Sequence, residues 1–262
     1  DQKELFKIVE GLLHQKGKVK LPSHTCKSQL AKRFNDYFIT KIHTIRQGLD
    51  IVPVSSPTLD TGPPTCTSPY LEYFRPVSVT EISKLISGSP SKSCVLDPVP
   101  TWMLKDHINV LAPVITKIVN NSFETAIFPD HFKNALVTPL LKKPSLDSEN
   151  LKNFRPVSNL KFVSKIVEKV VACQLIDHLS SNDLYEHFQS AYRKYHSTET
   201  ALLRVQNDIF CELDDKFGVF LILLDLSAAF DTIDHDILYT RLASIGVKGS
   251  ALKWLQSYFS NR

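Results

Sequence analysis

The chain has 262 residues, of which 43% are hydrophobic and 22% are charged. This composition is typical of a globular protein with a core to bury and excludes a largely disordered chain. The net charge of +4 is compatible with a nucleic-acid partner but does not identify one. The longest apolar run, residues 219–224, is far too short to cross a bilayer, so we expect no membrane partner.

The cysteines are odd in number and widely scattered, and no two have the spacing of zinc ligands: they are Cys26, Cys66, Cys94, Cys173 and Cys211. This pattern is typical of reduced thiols in an intracellular protein, so we expect no disulfide-linked partner. The chain begins at Asp1 without an initiator methionine. We therefore expect a piece of a longer polypeptide.

The first part of the chain predicts a helix and then a linker. Apolar residues within 28–49 recur at spacings of three and four, as on one face of an amphipathic helix: they are Leu30, Phe34, Phe38, Ile42 and Ile45. Its basic face either is solvated or contacts nucleic acid. Residues 50–77 are rich in Pro, Ser and Thr, as in an extended linker. We divide the chain into a helical spacer segment (1–49), this linker (50–77) and a folded domain (78–262).

The folded domain predicts helices alternating with a few strands. Ser78 and Glu81 have the spacing of a capping box, and a later helix over 101–127 contains Pro113, which would kink or divide it. Short strands are predicted over 135–141 and 154–160, followed by helices over 164–179 and 198–213. The buried face of the first of these two helices is predicted to be Val167, Val170, Val171, Leu175 and Leu179. This order indicates an α+β fold.

The six apolar residues of 219–224 end abruptly at Asp225. An apolar run without alternation predicts a strand buried on both faces, which would hold Asp225 rigidly enough to serve as a metal ligand. Small side chains soon after it would let backbone N–H groups approach a phosphate, and Phe230 could pack against a sugar. These small residues are Ser227, Ala228 and Ala229. The pattern therefore predicts a metal-dependent nucleotide site.

The segment LLDLSAAFDTIDH resembles the first catalytic motif of reverse transcriptases, and its surroundings resemble those of non-LTR retrotransposons, the LINE elements of jockey-like type. Three further segments match in the expected order: NALVTPLLKKP with NFRPVSNLKFVSKIVEKV, then FQSAYRKYHSTETAL, then HDILYTRLASIGVKGSALKWLQSYF. The resemblance covers roughly residues 80–262. Four motifs in the expected order make this resemblance far more specific than the AFD triplet of residues 229–231 would be alone.

The resemblance implies an RNA-directed DNA polymerase that adds dNTPs to a DNA primer on an RNA template, with two Mg²⁺ ions. It implies the fingers and part of the palm of a right-hand polymerase, preceded by the helical segment and the Pro-rich linker. The expected location is the nucleus or a cytoplasmic ribonucleoprotein. A different interpretation is a non-catalytic nucleic-acid-binding remnant of a retrotransposon, and a third is an unstable fragment with uncovered apolar surface.

The resemblance also assigns roles near the apolar run. Asp225 would bind both metal ions, and the backbone carbonyl of Leu226 would complete the shell of one. Phe230 would lie under the deoxyribose and reject a 2′-hydroxyl, beside the nucleotide-binding residues Ser227, Ala228 and Ala229. Without the resemblance, Asp225 could equally be a helix N-cap and Phe230 a core residue.

Two basic segments complete the predicted site. Lys142, Lys143 and Arg155 bracket a polar loop between the two short strands. The resemblance implies that such cations offset the charge of the triphosphate, although the lysines could equally lie in a solvated loop. Basic and aromatic residues of 189–200 suit a template strand, namely Tyr192, Arg193, Lys194 and His196. The alternative for this second segment is a surface loop that ends at a helix cap, Ser197 or Thr198.

Other acidic residues are not expected to be catalytic. Asp231, Asp234 and Asp236 suit the first turn of a helix, where carboxylates complement the helix dipole. The aromatic-x-Asp-Asp hairpin that the same chemistry requires does not occur, and the vicinal pair Asp214–Asp215 precedes the apolar run. We therefore expect these 262 residues alone to be inactive.

Overall fold

The structure, a computed structural model, describes residues 21–50 and 69–262. Most of the predicted linker, the first part of the spacer segment and Cys66 lie outside the described residues, and the division at 49 and 77 stays a prediction. The other four cysteines are free thiols. No helix within the described ranges is both long and apolar enough to cross a membrane.

The described chain is a mixture of helices and strands. In chain order the elements are α1 Lys27–Asp50, α2 Val79–Ser87, α3 Thr101–Asp106, α4 Ile108–Glu124, α5 Asp130–Lys133, β1 Ala135–Leu141, a 3₁₀ turn Leu151–Asn153, β2 Phe154–Leu160, α6 Phe162–Ser181, α7 Thr198–Asp214, α8 His235–Ser244 and α9 Gly249–Phe259. They form two compact units. The first contains the described residues of 1–55, 78–116 and 129–166, and the second contains those of 56–77, 117–128 and 167–262.

The first unit is built on the predicted hairpin and the predicted amphipathic helix. β1 and β2 pair antiparallel from Ala135 opposite Leu160 to Leu141 opposite Phe154, which confirms both strands. Phe34 of α1 is buried, and its ring lies edge to face with that of Phe154, with centroids 5.0 Å apart. The apolar face of α1 therefore covers one end of the hairpin.

Hydrogen bonds fix the surrounding helices of the first unit. The capping box of Ser78 and Glu81 is confirmed at the start of α2. The helix predicted over 101–127 is divided at His107, so the prediction that Pro113 divides it is wrong, and a kink at Pro113 stays a prediction. The His107 N–H bonds to the Met103 carbonyl and ends α3, whereas Pro113 is accommodated inside α4. The backbone of His107 is non-helical (φ −109°, ψ 31°), and this turn divides the helix.

The second unit has an aromatic core of Phe74, Phe123, Phe128, Trp254 and Tyr258. The Trp254 ring is 1% exposed, and its centroid lies 5.5 Å from that of Phe74 and 5.4 Å from that of Phe128. The indole N–H donates to the Ser122 hydroxyl at 2.9 Å. Edge-to-face ring packing and a satisfied indole N–H together stabilise this core.

Helix α6 confirms the helix predicted over 164–179 and adds buried polar residues that the pattern did not predict. Val167, Val170 and Val171 are buried, whereas Leu175 and Leu179 are half-buried. Gln174 and His178 are also buried. The Gln174 amide exchanges two hydrogen bonds with the Arg75 backbone, and His178 Nε2 donates to the Ile245 carbonyl at 2.8 Å. These bonds offset the cost of burying polar groups.

The buried strand predicted over 219–224, called the apolar run below, is wrong. The run is irregular, and its side chains are exposed, with Phe220 at 95% and Leu224 at 89%. A strand buried on both faces needs hydrogen-bonded neighbours and a layer over each face. Among the described residues the sheet consists of β1 and β2, which pair with each other. Neither strand pairs with the apolar run.

Candidate functional site

Asp225 is exposed at the end of the apolar run, directly before a closed turn. Ala228 has left-handed backbone (φ 55°), a conformation that costs energy for a residue with a Cβ. Its carbonyl accepts from the backbone N–H groups of Asp231 at 2.9 Å and Thr232 at 3.1 Å, and from the Thr232 hydroxyl at 3.2 Å. The backbone on both sides of Phe230 is therefore fixed although the apolar run is not a strand.

Phe230 is not a core residue in this structure, because its side chain is 75% exposed. Its ring lies edge to face against that of Tyr192, with centroids 6.3 Å apart and planes at 72°. The structure therefore brings together one residue predicted to bind the nucleotide and one predicted to bind the template.

The carboxylates near Asp225 do not form a metal cage. Among the described residues no group of three or more His, Cys, Asp or Glu side chains could hold a metal ion, and Mg²⁺ requires several oxygen ligands. Asp234 instead caps α8, accepting from the backbone N–H groups of Asp236 at 2.9 Å and Ile237 at 3.1 Å. The structural interpretation is confirmed for Asp234 and for Asp236, which lies in the first turn of α8. Asp231 lies in the preceding turn and not in the helix. The donor set of the described residues thus does not fit a two-metal site, and Asp225 contributes a single carboxylate.

The three predicted phosphate cations lie on the hairpin of the first unit, and all are exposed. The Lys142 ammonium donates to the Lys152 carbonyl at 2.8 Å, and its backbone N–H donates to the Asn153 carbonyl at 2.9 Å. Lys142 therefore closes the hairpin loop. Arg155 lies on β2 opposite Leu140, where a strand gives its backbone a fixed position. Lys143 takes no part in these two loop-closing hydrogen bonds.

The predicted template segment contributes to a basic–aromatic surface in the second unit, in which Tyr185 and Arg193 are half-buried and the other members are exposed. Its members are Tyr185, Phe188, Arg193, Lys194, Tyr195 and Arg204. The guanidinium of Arg193 lies 4.7 Å from the Tyr185 ring centroid, the Lys194 ammonium lies 4.9 Å from that of Tyr195, and the Arg204 guanidinium lies 4.6 Å from that of Phe188. These distances are in the range of cation–π attraction.

Sequence reasoning missed three members of this surface: Tyr185, Phe188 and Arg204. Arg204 lies on α7, more than one turn beyond the predicted template segment, and the fold brings it to Phe188. The density of aromatic and basic residues over 185–204 was the available signal.

His196 directs its Nδ1 to the Lys194 carbonyl at 2.9 Å, and Ser197 caps α7 with Thr200 in a capping box. The hydrogen bond from Ser197 lowers the pKa of the Glu199 carboxyl.

Comparison with known proteins agrees with these motifs. Residues 141–262 match the family described as reverse transcriptase (RNA-dependent DNA polymerase). A Drosophila melanogaster protein named probable RNA-directed DNA polymerase from transposon BS is 28% identical over 174 residues, which cover 66% of this chain and 19% of that protein. The corresponding protein of transposon X-element in the same organism is 23% identical over 208 residues, covering 79% and 22%.

The RNA-directed DNA polymerase from mobile element jockey of Drosophila melanogaster is 25% identical over 163 residues, which cover 61% of this chain and 17% of that protein. The chain thus spans about a fifth of the length of these relatives. Residues 141–262 are thus similar to the reverse transcriptase family, and the resemblance to jockey-like non-LTR transposon polymerases is confirmed.

Proposed function

We propose that this chain is the fingers and part of the palm of a non-LTR retrotransposon reverse transcriptase. The enzyme would add dNTPs to the 3′ end of a DNA primer on an RNA template, in the nucleus or a cytoplasmic ribonucleoprotein. The observation that carries the proposal is the family match over 141–262, which encloses Asp225 and the closed turn that presents Phe230. Exposure of both side chains leaves them accessible to a nucleotide.

The proposed roles follow from the chemistry of each group. Asp225 and the Leu226 carbonyl would supply oxygen ligands to two Mg²⁺ ions in the whole polymerase. Backbone N–H groups of the turn would approach the triphosphate, because its side chains are small: they belong to Ser227, Ala228 and Ala229. The Phe230 ring would lie beneath the sugar, and Arg155 with Lys143 would offset the charge of the phosphates.

Primer extension on an RNA template tests this proposal in a polymerase that contains the chain. Asp225→Asn keeps the size of the side chain and removes its charge, so we expect at least about a 100-fold loss of rate, more than the loss of an outer-shell partner causes. Asp214→Asn is the matched control, since Asp214 is an exposed carboxylate at the end of α7. Equal rates for the two variants would contradict the proposal.

The cation–π pairs of the basic–aromatic surface favour a second function, a nucleic-acid-binding remnant without catalysis. Arginines stacked on aromatic rings offer charge to phosphates and flat faces to bases. Under this alternative, single-stranded RNA binding falls with salt, survives Asp225→Asn and weakens in Arg204→Gln, while the wild-type polymerase extends no primer. Extension by the wild type would decide against it.

A further inference from the structure

The contact between Phe230 and Tyr192 is not a consequence of core packing. The two side chains are 75% and 82% exposed, yet their rings meet edge to face at 6.3 Å. This separation and angle are those at which the edge of one ring is attracted to the face of another. Two residues far apart in sequence thus share a specific contact at the surface, at the end of the turn that carries the predicted nucleotide-binding residues.

The backbone around each ring is constrained. Tyr192 has left-handed backbone (φ 60°), which a tyrosine adopts only where its surroundings require it. Next to it, the Arg193 guanidinium donates to the Gln189 carbonyl at 3.3 Å and lies over the Tyr185 ring. Phe230 is presented by the turn that the Ala228 carbonyl closes. Because the backbone is fixed, the Phe230 ring can move only by rotation about its side-chain bonds. The neighbouring Tyr192 ring restricts that rotation.

We propose that Tyr192 is a positioning residue for Phe230 and thereby contributes to discrimination between deoxyribose and ribose. This inference rests on the proposed polymerase function and assigns a specificity role outside the LLDLSAAFDTIDH segment. An exposed phenylalanine samples several rotamers, and only a ring held beneath the sugar excludes a 2′-hydroxyl. Contact with the Tyr192 ring favours one rotamer. The tyrosine hydroxyl takes no part in this role, so Tyr192→Phe preserves it.

The first test measures kcat and KM for a dNTP and its matching rNTP in a polymerase that contains the chain. We expect Tyr192→Ala to lower the preference for the dNTP by about 3- to 10-fold, the effect of one edge-to-face ring pair, mainly through a lower KM for the rNTP. Tyr192→Phe keeps the wild-type preference. In a Phe230→Val background, which itself admits ribonucleotides, Tyr192→Ala changes nothing further, because the two residues act as one unit.

Three results of this test would overturn the inference. One is an unchanged preference in Tyr192→Ala. Another is a loss of affinity for the template strand in that variant with no change in sugar preference, which would make Tyr192 a template contact alone. Equal effects of Tyr192→Ala and Tyr192→Phe would also exclude the ring contact as the cause.

A second readout separates this inference from the polymerase proposal. Fluorine NMR of the 262-residue chain with para-fluorophenylalanine at position 230 reports the ring directly, without substrate. We expect Tyr192→Ala to move and broaden the resonance and Tyr192→Phe to leave it in place. If the wild-type polymerase extends no primer while the resonance responds in this way, the polymerase proposal fails and the positioning contact stands. If Tyr192→Ala leaves the position and width of the resonance unchanged, the positioning contact is overturned, whether or not the polymerase extends a primer.

Discussion

Two sets of apolar residues in the second unit, the aromatic core and the apolar run, differ completely in environment. In the aromatic core, Trp254 is 1% exposed and Phe128 is fully buried. In the apolar run, Phe220 is 95% and Leu223 is 84% exposed. Burial therefore follows from the partners that the chain supplies, not from the hydrophobicity of a segment.

The aromatic core and the apolar run also differ in what they contribute to the second unit. The core is assembled from residues distant in sequence, and each of its rings contacts another member. The apolar run lies directly before Asp225 and the turn of Phe230. Exposed apolar surface of this kind marks interaction sites or aggregation-prone segments. The core therefore holds the second unit together, whereas the run contributes little to its packing.

The largest expected effect is on the core. Trp254→Ala removes the ring that the other core aromatics contact and leaves a cavity, so we expect the free energy of unfolding to fall by about 3–5 kcal/mol. Trp102→Ala is the matched control because Trp102, the other tryptophan, is 55% exposed, and we expect less than about 1 kcal/mol there. Urea denaturation measures both. Similar losses for the two variants would contradict the assignment of Trp254 as the centre of the core.

A smaller change tests the hydrogen bond of the Trp254 indole inside the core. Ser122→Ala leaves the Trp254 indole N–H buried without its acceptor, which costs about 1–3 kcal/mol. Ser181→Ala at the exposed end of α6 is the control and should change the stability by less than about 0.5 kcal/mol. The same denaturation experiment distinguishes them, and equal stability of the two variants would show that the bond is unimportant.

The core also predicts a dependence on alkaline pH. Burial, reinforced by the negative charge of Glu168 and opposed by Arg262, raises the pKa of Tyr258 from 10.0 to about 12. The folded state thus favours the neutral phenol, and this stabilisation is present below pH 10 and lost as the pH rises from 10 towards 12. Tyr258→Phe should flatten this part of the stability curve, whereas Tyr195→Phe, at an 87% exposed site, should not. A wild-type curve that stays flat above pH 10 would contradict the shift.

The smallest expected effect is in the apolar run. Phe220→Ser should change the free energy of unfolding by less than about 0.5 kcal/mol, because the side chain is already exposed. It should lower self-association measured by light scattering, since it interrupts an uncharged apolar segment. A loss of several kcal/mol would show that the run is buried in solution, as the sequence pattern predicted.

The contrast between local and tertiary determinants explains which predictions from sequence succeeded. The capping box at Ser78, the hairpin strands and the amphipathic face of α1 are encoded in local sequence patterns, and all three were predicted. For the start of α7 a cap at Ser197 was one of two alternatives. Burial of His178 and Gln174 depends on backbone partners at Ile245 and Arg75, which no local pattern contains. The prediction of a strand over 219–224 was wrong for the same reason, because a strand requires partner strands that no local pattern contains.

The candidate site shows the same division. Asp225 and Phe230 could be found from the motif, and Arg155 from its place on the hairpin. The contact of Tyr192 with Phe230 and that of Arg204 with Phe188 depend on how the chain folds back on itself. Such contacts become visible only in the structure.

The central claim is that Asp225 serves the chemistry and not the stability of the fold. The most direct measurement compares Asp225→Asn with the wild type in two assays, urea denaturation of the chain and primer extension by the polymerase that contains it. We predict a change in unfolding free energy below about 0.5 kcal/mol together with at least about a 100-fold loss of extension. Extension that persists in Asp225→Asn, or a loss of extension matched by a comparable loss of stability, would contradict the account.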